Sequence, residues 1–252
     1  MGMLDGKVAL VTAAAKRKSI GFGIARALVS EGASAVVTGR KKGQVNDAAR
    51  ALGASGARAC GLVVPEVIGD EEARTVAERA LGEFGRLDVL VNCAQAAKSG
   101  VACADVAEGD LELALDTGAK SAFALMRACY PALRETRGSV INIGSLAAER
   151  GQAGQLALAA SKGALFAMSK VAAREWAADG IRVNVVSALV QTGGLAQWEK
   201  EDPALYEEFL DQIPAGRLAD PVEELGRACA FLASDEAAYI TGQEIDMTGG
   251  TL

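Results

Sequence analysis

The stretch 145–162 carries Ser145, Gln155 and Lys162, and it contains no tyrosine. A serine hydroxyl or a glutamine amide can donate a hydrogen bond to an oxygen that gains negative charge, and a lysine ammonium can hold hydroxyl groups. None of these is an acid of the usual kind: Gln155 in particular has no proton to give at neutral pH. The chain also lacks histidine altogether, so neither a His-based triad nor a His-ligated zinc is available, and no metal is expected. The set suits chemistry in which an oxygen is held rather than protonated as the reaction proceeds. Plain alternatives are a serine that ends a strand, a polar glutamine in the first turn of a helix, and a solvated helix lysine.

A second constellation lies near the N-terminus, where a β-branched run enters Thr12-Ala13-Ala14-Ala15-Lys16-Arg17-Lys18-Ser19-Ile20-Gly21-Phe22-Gly23 before a helical pattern begins. Glycine at such a helix start lets the backbone approach a pyrophosphate, whose charge free N–H groups and the helix dipole stabilise. Arg40, just past the second run, can pair with a 2'-phosphate, whereas an acidic residue there would grip the ribose hydroxyls. These residues favour NADP(H), with NAD(H) and the absence of any cofactor as alternatives. A glycine-softened turn and a solvating arginine are the bland readings.

The elements that must position these groups follow from periodicity. Strands are expected over 7–12, 35–38, 59–64, 87–92, 139–143, 181–186 and 244–247, and helices over 20–31, 44–52, 70–84, 111–133, 154–178 and 222–233. Such alternation calls for a doubly wound, Rossmann-type α/β fold: a seven-stranded parallel sheet with helices on both faces, in one domain over 1–252. The stretch 190–217, with Trp198, Tyr206 and Phe209 on an acidic background, reads equally as a substrate lid or as a surface helix packed by its aromatics. A net charge of -6 argues against a nucleic-acid partner, and the five scattered cysteines suggest reduced thiols in a cytoplasmic protein. Neither export nor a membrane span is indicated.

With these pieces in place the chain resembles the short-chain dehydrogenase/reductase family over nearly its whole length. Asp88-Val-Leu-Val-Asn92-Cys-Ala-Gln95 stands where that family has its N-N-A-G turn, and Gly180-Ile-Arg-Val-Asn184-Val-Val matches the strand before its nicotinamide loop. The resemblance implies a pyrophosphate loop of Thr12, Ala13, Ser19, Ile20, Gly21 and Gly23. It places Glu66 and Val67 under the adenine, Asn92 and Ala94 along the ribose, Thr192 near the nicotinamide amide, and Lys162 on the nicotinamide ribose. It also implies a homotetramer built by the helices at 111–133 and 154–178 and the last strand.

The departures are specific. Ala13 replaces the first loop glycine, and the loop is longer before Gly23, a length similar to that of the enoyl-thioester reductases, which also place a serine and an isoleucine as Ser19 and Ile20 do. Cys93 and Gln95 replace an asparagine and a glycine of the turn. Of the catalytic Asn, Ser, Tyr and Lys, Ser145 and Lys162 remain, Leu158 takes the tyrosine position and Gly118 the asparagine position. In the register of the enoyl reductases, Gln155 falls on the tyrosine and Leu158 on a methionine.

Reducing a ketone creates an alkoxide that must be protonated as hydride arrives, so loss of the acid costs on the order of 10² to 10⁴ in rate. Hydride addition to an enoyl thioester instead spreads charge into an enolate, which needs donors at its oxygen and can take a proton from water later. The expected function is therefore NADP(H)-dependent reduction of a small enoyl or activated, thioester-like carbonyl substrate, with Ser145 or Gln155 on its oxygen. The alternative is a non-redox or inactive descendant: a binding or assembly module, or a dehydratase, isomerase or cyclase. A third reading, a ketoreductase with another acid, needs Ser161, Tyr130 or Tyr239 at the site.

Overall fold

Short β-branched runs separated by helices cannot pair as hairpins, so each strand must return in the same direction. The computed structural model, which describes residues 2–54 and 56–251, shows β1 (Val8–Val11), β2 (Ser34–Gly39), β3 (Ala59–Val63), β4 (Val89–Asn92), β5 (Ser139–Ile143), β6 (Arg182–Ala188) and β7 (Glu244–Met247). They form one parallel sheet in the order β3-β2-β1-β4-β5-β6-β7. The connecting helices are α1 (Ile20–Ser30), α2 (Lys42–Gly53), α3 (Asp70–Phe84), α4 (Glu108–Leu115), α5 (Ser121–Thr136), α6 (Leu146–Arg150), α7 (Leu156–Trp176), α8 (Gly193–Glu201), α9 (Pro203–Asp211) and α10 (Leu225–Ala233).

Both faces of the sheet are covered, which is why its strands read as continuous apolar runs. Alternate residues divide between two cores: Ala9, Val11, Val37 and Val91 pack with Ile24, Leu28 and Leu225 on one face. Val8, Leu10, Val36 and Leu90 pack with Val76, Leu125 and Leu133 on the other. The doubly wound Rossmann-type architecture expected from the alternation is thus present.

Two local differences matter for the site. The helix expected as one piece over 111–133 is α4 and α5 joined by a π turn at Asp116–Lys120. The stretch 190–217 holds α8 and α9, whose Trp198, Tyr206 and Phe209 pack on one another and on Ile213 and Leu218 in a small core of their own. By length and composition 156–179 is apolar enough to cross a bilayer. In the fold one face of that helix, with Ala157, Ser161, Lys162, Leu165 and Ser169, is buried against the rest of the molecule.

A buried polar ladder fixes α7 to the sheet. Asn92 Nδ2 of β4 donates to Asn142 Oδ1 of β5 at 2.8 Å, Asn142 Nδ2 donates to Ser169 Oγ of α7 at 2.8 Å, and Ser169 donates to the Leu165 carbonyl at 2.7 Å. Asn142 serves three partners, since its Nδ2 also donates to Met126 Sδ at 3.6 Å, and is fully buried. Truncating it leaves a buried donor without an acceptor, which costs about 1–3 kcal/mol beyond the cavity. Asn142→Ala should therefore destabilise the protein more than Asn92→Ala, by about 2 kcal/mol or more in urea denaturation, since Asn92 Oδ1 already lacks a partner.

Candidate functional site

β1 is flanked by β2 on one side and β4 on the other, so the loops that leave β1 and β4 diverge and open a crevice beyond the strands' C-terminal ends. Thr12 sits at its base. The threonine is buried, and its hydroxyl oxygen accepts from the Cys93 and Ala94 amides at 2.8 and 3.1 Å, which pins the turn after β4 to β1. Above this clamp lies a cleft of about 770 Å3. A second hollow of about 590 Å3 beside α2, β3 and the end of α3 carries only Arg50, Arg58 and Glu83 as charged groups and lies away from the cleft residues.

Of the residues singled out from the sequence, Ala13, Ser19, Ile20, Gly21, Arg40, Glu66, Ala94 and Thr192 line the cleft. Lys16, Lys18, Lys41, Gln95, Ala96 and Thr117 line it as well, and sequence reasoning gave them no place there. Lys16, Lys18 and Lys41 were legible as members of the short basic runs 16–18 and 40–42, and Gln95 as a departure in the turn after β4; Ala96 and Thr117 gave no signal of their own. Four expected residues have different tasks. Thr12 is the clamp just described, Asn92 belongs to the buried ladder, Val67 does not line the cleft although Glu66 and Ile68 do, and Gly23 abuts Pro221, where a Cβ would come within 2.7 Å of its Cβ.

The loop suits an anion. Ala13 takes a left-handed conformation, φ 53°, which glycine adopts freely and alanine at a cost of roughly 1 kcal/mol. Ser19 caps α1, accepting from the Phe22 amide at 3.2 Å and donating to the Lys16 carbonyl at 2.7 Å. The Gly23 amide returns to the Ser19 carbonyl. The amides of Ile20 and Gly21 find no acceptor among the described residues, as expected for the first turn of a helix. At Gly21 a Cβ would lie 2.7 Å from the Thr12 carbonyl oxygen, so the close passage of the loop over β1 requires glycine. This cradle of unpaired amides, with Lys16, Lys18 and Arg40 around it, fits a dinucleotide pyrophosphate. Arg40 is ion-paired with Glu66, and both line the cleft.

Lys162, Ser145 and Gln155 are not among the residues that line the cleft. Lys162 is buried, not the solvated helix lysine of the bland reading, and its Nζ donates to the Ile143 carbonyl at 2.6 Å, at the end of β5. Loss of solvent lowers its pKa from 10.5 to about 8. Ser145, two residues beyond Ile143, caps α6; its Oγ accepts from the Ala147 amide at 3.2 Å, and its own proton has no acceptor among the described residues. Gln155 precedes α7 and accepts at Oε1 from Ser99 at 2.9 Å, so it joins the loop after β4 to the start of α7.

No tyrosine lines the cleft. Tyr130 donates to Asp179 at 2.6 Å and rests against Trp176, Tyr206 donates to Gln191 at 3.0 Å, and Tyr239 is fully exposed. Ser161 donates to the Ala114 carbonyl at 2.8 Å. A ketoreductase that recruits Ser161, Tyr130 or Tyr239 finds no support in this geometry.

The Lys162 depression makes a stability prediction. Between about pH 8 and 10.5 the folded protein holds this proton less tightly than the unfolded chain, so stability rises with pH across that window. The rise should reach at most about 3 kcal/mol, with the Ile143 carbonyl offsetting part of it. Urea denaturation at pH 7.5 and 10 should show it in the natural protein and not in Lys162→Met; the same pH dependence in both proteins would refute the assignment.

Comparison with known proteins agrees with this architecture. The family model described as "Enoyl-(Acyl carrier protein) reductase" matches residues 14–251. The 12alpha-hydroxysteroid dehydrogenase of a Clostridium species is 41% identical, over 99% of this chain and 98% of its own length. The 3-oxoacyl-acyl-carrier-protein reductase FabG of Salmonella typhimurium is 36% identical over 98% of this chain and 97% of its own. A solved structure described as a short-chain alcohol dehydrogenase of Sinorhizobium meliloti 1021 superposes with a TM-score of 0.89 at 32% identity, covering 98% of this chain and 97% of that one. With the parallel sheet, the crevice at its switch point and full-length similarity all in agreement, the chain belongs to the short-chain dehydrogenase/reductase family.

Proposed function

We propose that this protein is an NADP(H)-dependent oxidoreductase that reduces a small enoyl or similarly activated, thioester-like carbonyl substrate. The observation that carries the reading is the pairing of a cation-rich cleft with a reaction centre that keeps Ser145 and Lys162 but has Leu158 four residues before the lysine. Lys16, Lys18, Arg40 and Lys41 all line the cleft, and Arg40 and Lys41, which follow β2, are the cations suited to a 2'-phosphate.

A bound dihydronicotinamide supplies a hydride. The chain's own work is to hold and orient. Ile20 and Gly21 present amides to the pyrophosphate, Lys162 offers its ammonium to ribose hydroxyls, and the uncommitted Ser145 proton is directed to the substrate oxygen as charge develops there. An enolate held in this way needs no acid at the moment of hydride arrival, so Leu158 is tolerated. Beyond β6, α8 and α9 form a lid over the substrate; the Gly193 amide ties its base to the Lys18 carbonyl at 3.0 Å, joining it to the phosphate loop. Exposed Phe123 on α5 and Val171 on α7 support a tetramer through these helices, in a cytoplasmic setting.

One observation favours a second reading. Gln155 and Lys162 already have partners within the chain and neither lines the cleft, which suits a non-redox module that binds the nucleotide or does without it.

The two readings separate on binding and turnover. Calorimetry should show NADPH bound more tightly than NADH. Arg40→Ala should weaken NADPH by about 10- to 100-fold, and Glu66→Gln should tighten it, because Glu66 competes for Arg40. NADPH oxidation with a panel of enoyl thioesters should be abolished by Lys162→Met. Leu158→Tyr should raise ketone reduction by on the order of 10²-fold or more, since it returns an acid to α7. Tight NADPH binding with no turnover across the panel would favour the second reading.

A further inference from the structure

Gly118 lies inside the π turn Asp116–Lys120, and the space beside it is already filled. A Cβ at this position would stand 2.2 Å from Gln95 Oε1 and 2.3 Å from Ser161 Oγ. Contacts below 3 Å are not sustained, so even alanine requires both polar groups to move. Two groups from distant parts of the chain thus occupy the place that a side chain at 118 would claim.

Gln95 belongs to the turn after β4 and lines the cleft. Its Nε2 donates to the carbonyls of Ala96 and Ala114, each at 3.0 Å, so one amide joins the cleft wall to the last turn of α4. Its Oε1 faces Ser161 Oγ of α7 at 3.2 Å. That hydroxyl bridges the π turn, accepting from the Ala119 amide at 3.3 Å and standing 2.8 Å from the Ala114 carbonyl. Ser161 is completely buried and immediately precedes Lys162. Thr117 completes the seam: its hydroxyl oxygen accepts from the Ala96 amide at 2.9 Å and donates to the Leu113 carbonyl at 2.7 Å.

We infer that Gln95 is a positioning residue, a carboxamide strut that supplies from the β4 turn the side chain that position 118 lacks and so fixes the cleft wall, the π turn and the Lys162 turn of α7 against one another. It touches neither reacting group. Its effect on the site runs through Ala94–Ala96 on one side and Ser161 on the other. The part of this inference that concerns cofactor affinity rests on the NADP(H) reading above; the strut itself does not.

The test is a mutant cycle read by thermal unfolding of the protein without ligand and by calorimetry with NADPH. Gly118→Ala should lower the Tm by about 3–10 °C through overpacking. Gly118→Asn, which is larger, should lower it further or prevent folding. Gln95→Gly should lower the Tm and raise the NADPH dissociation constant about tenfold, because the cleft wall loses its anchor. The double variant Gln95→Gly/Gly118→Asn, which moves the carboxamide to the helix side of the seam, should recover most of both losses and exceed either single variant in Tm.

Gln95→Leu separates filling from hydrogen bonding, and it should bind NADPH as weakly as Gln95→Gly. The inference is overturned if the double variant is no more stable than the sum of the two single changes, or if Gln95→Leu binds NADPH like the natural protein. Should the natural protein itself not bind NADPH, the cofactor reading fails. The Tm cycle then decides on the strut alone, with rescue upholding it and additivity overturning it.

Discussion

The arrangement depends on the reversal of strand order at β1. With β2 and β3 stacked on one side and β4 to β7 on the other, the chain must leave β1 and β4 in opposite directions, and the gap between the departing loops cannot be closed by backbone pairing. Thr12 resolves the problem at its lowest point. One hydroxyl oxygen takes the two amides, Cys93 and Ala94, that follow the last residue of β4, so the floor of the crevice is rigid while its walls remain free to carry function. Two walls of the cleft start from this clamp: the phosphate loop continues from it and the Ala94–Ala96 turn hangs from it.

A second constraint is the position of α7. A helix that carries a buried lysine must be located closely, because moving an ammonium within an apolar surround changes its solvation and hence its charge. Three devices locate it: the ladder from Asn92 through Asn142 to Ser169, the bond from Lys162 to the Ile143 carbonyl, and the Ser161 contact with the π turn. They attach the Ser161–Lys162 turn of α7 to α4, the π turn and β5, and the Ser169 turn to β5 and through it to β4. The carbonyl that accepts from Lys162 belongs to Ile143, two residues before Ser145, so the lysine is tied to the end of the strand that leads into the serine.

The sheet was legible because buried parallel strands leave a simple trace, short β-branched runs between helical patterns, and β5 and β7 begin and end where that trace says. The π turn was not, since a helix with one extra residue in a turn keeps its apolar spacing on either side and differs only in backbone hydrogen bonding. For the same reason Gly118 and Gln95 read as two separate losses. In three dimensions they are one exchange, a missing side chain and the group that fills its place. Thr12 and Asn92 were legible as site residues by position, yet a sequence does not say whether a polar side chain faces the ligand or holds up the backbone that does. The aromatics of 190–217 pack on one another, because an acidic surface segment with three large rings buries them most readily in a small core of its own.

The groups suited to holding a dinucleotide and those that would move a proton sit on different elements, and this separates their fates. The first set lies on the phosphate loop, the end of β2 and the turn after β4, each anchored by its own backbone contacts. The second lies on α6 and α7. Exchanging a tyrosine for Leu158 therefore alters no contact of the cradle and leaves the buried ladder of α7 intact, because Ser169 and Lys162 hold that helix without it. Ser145, before α6, keeps a proton with no acceptor among the described residues, a donor of the kind that stabilises charge on an oxygen.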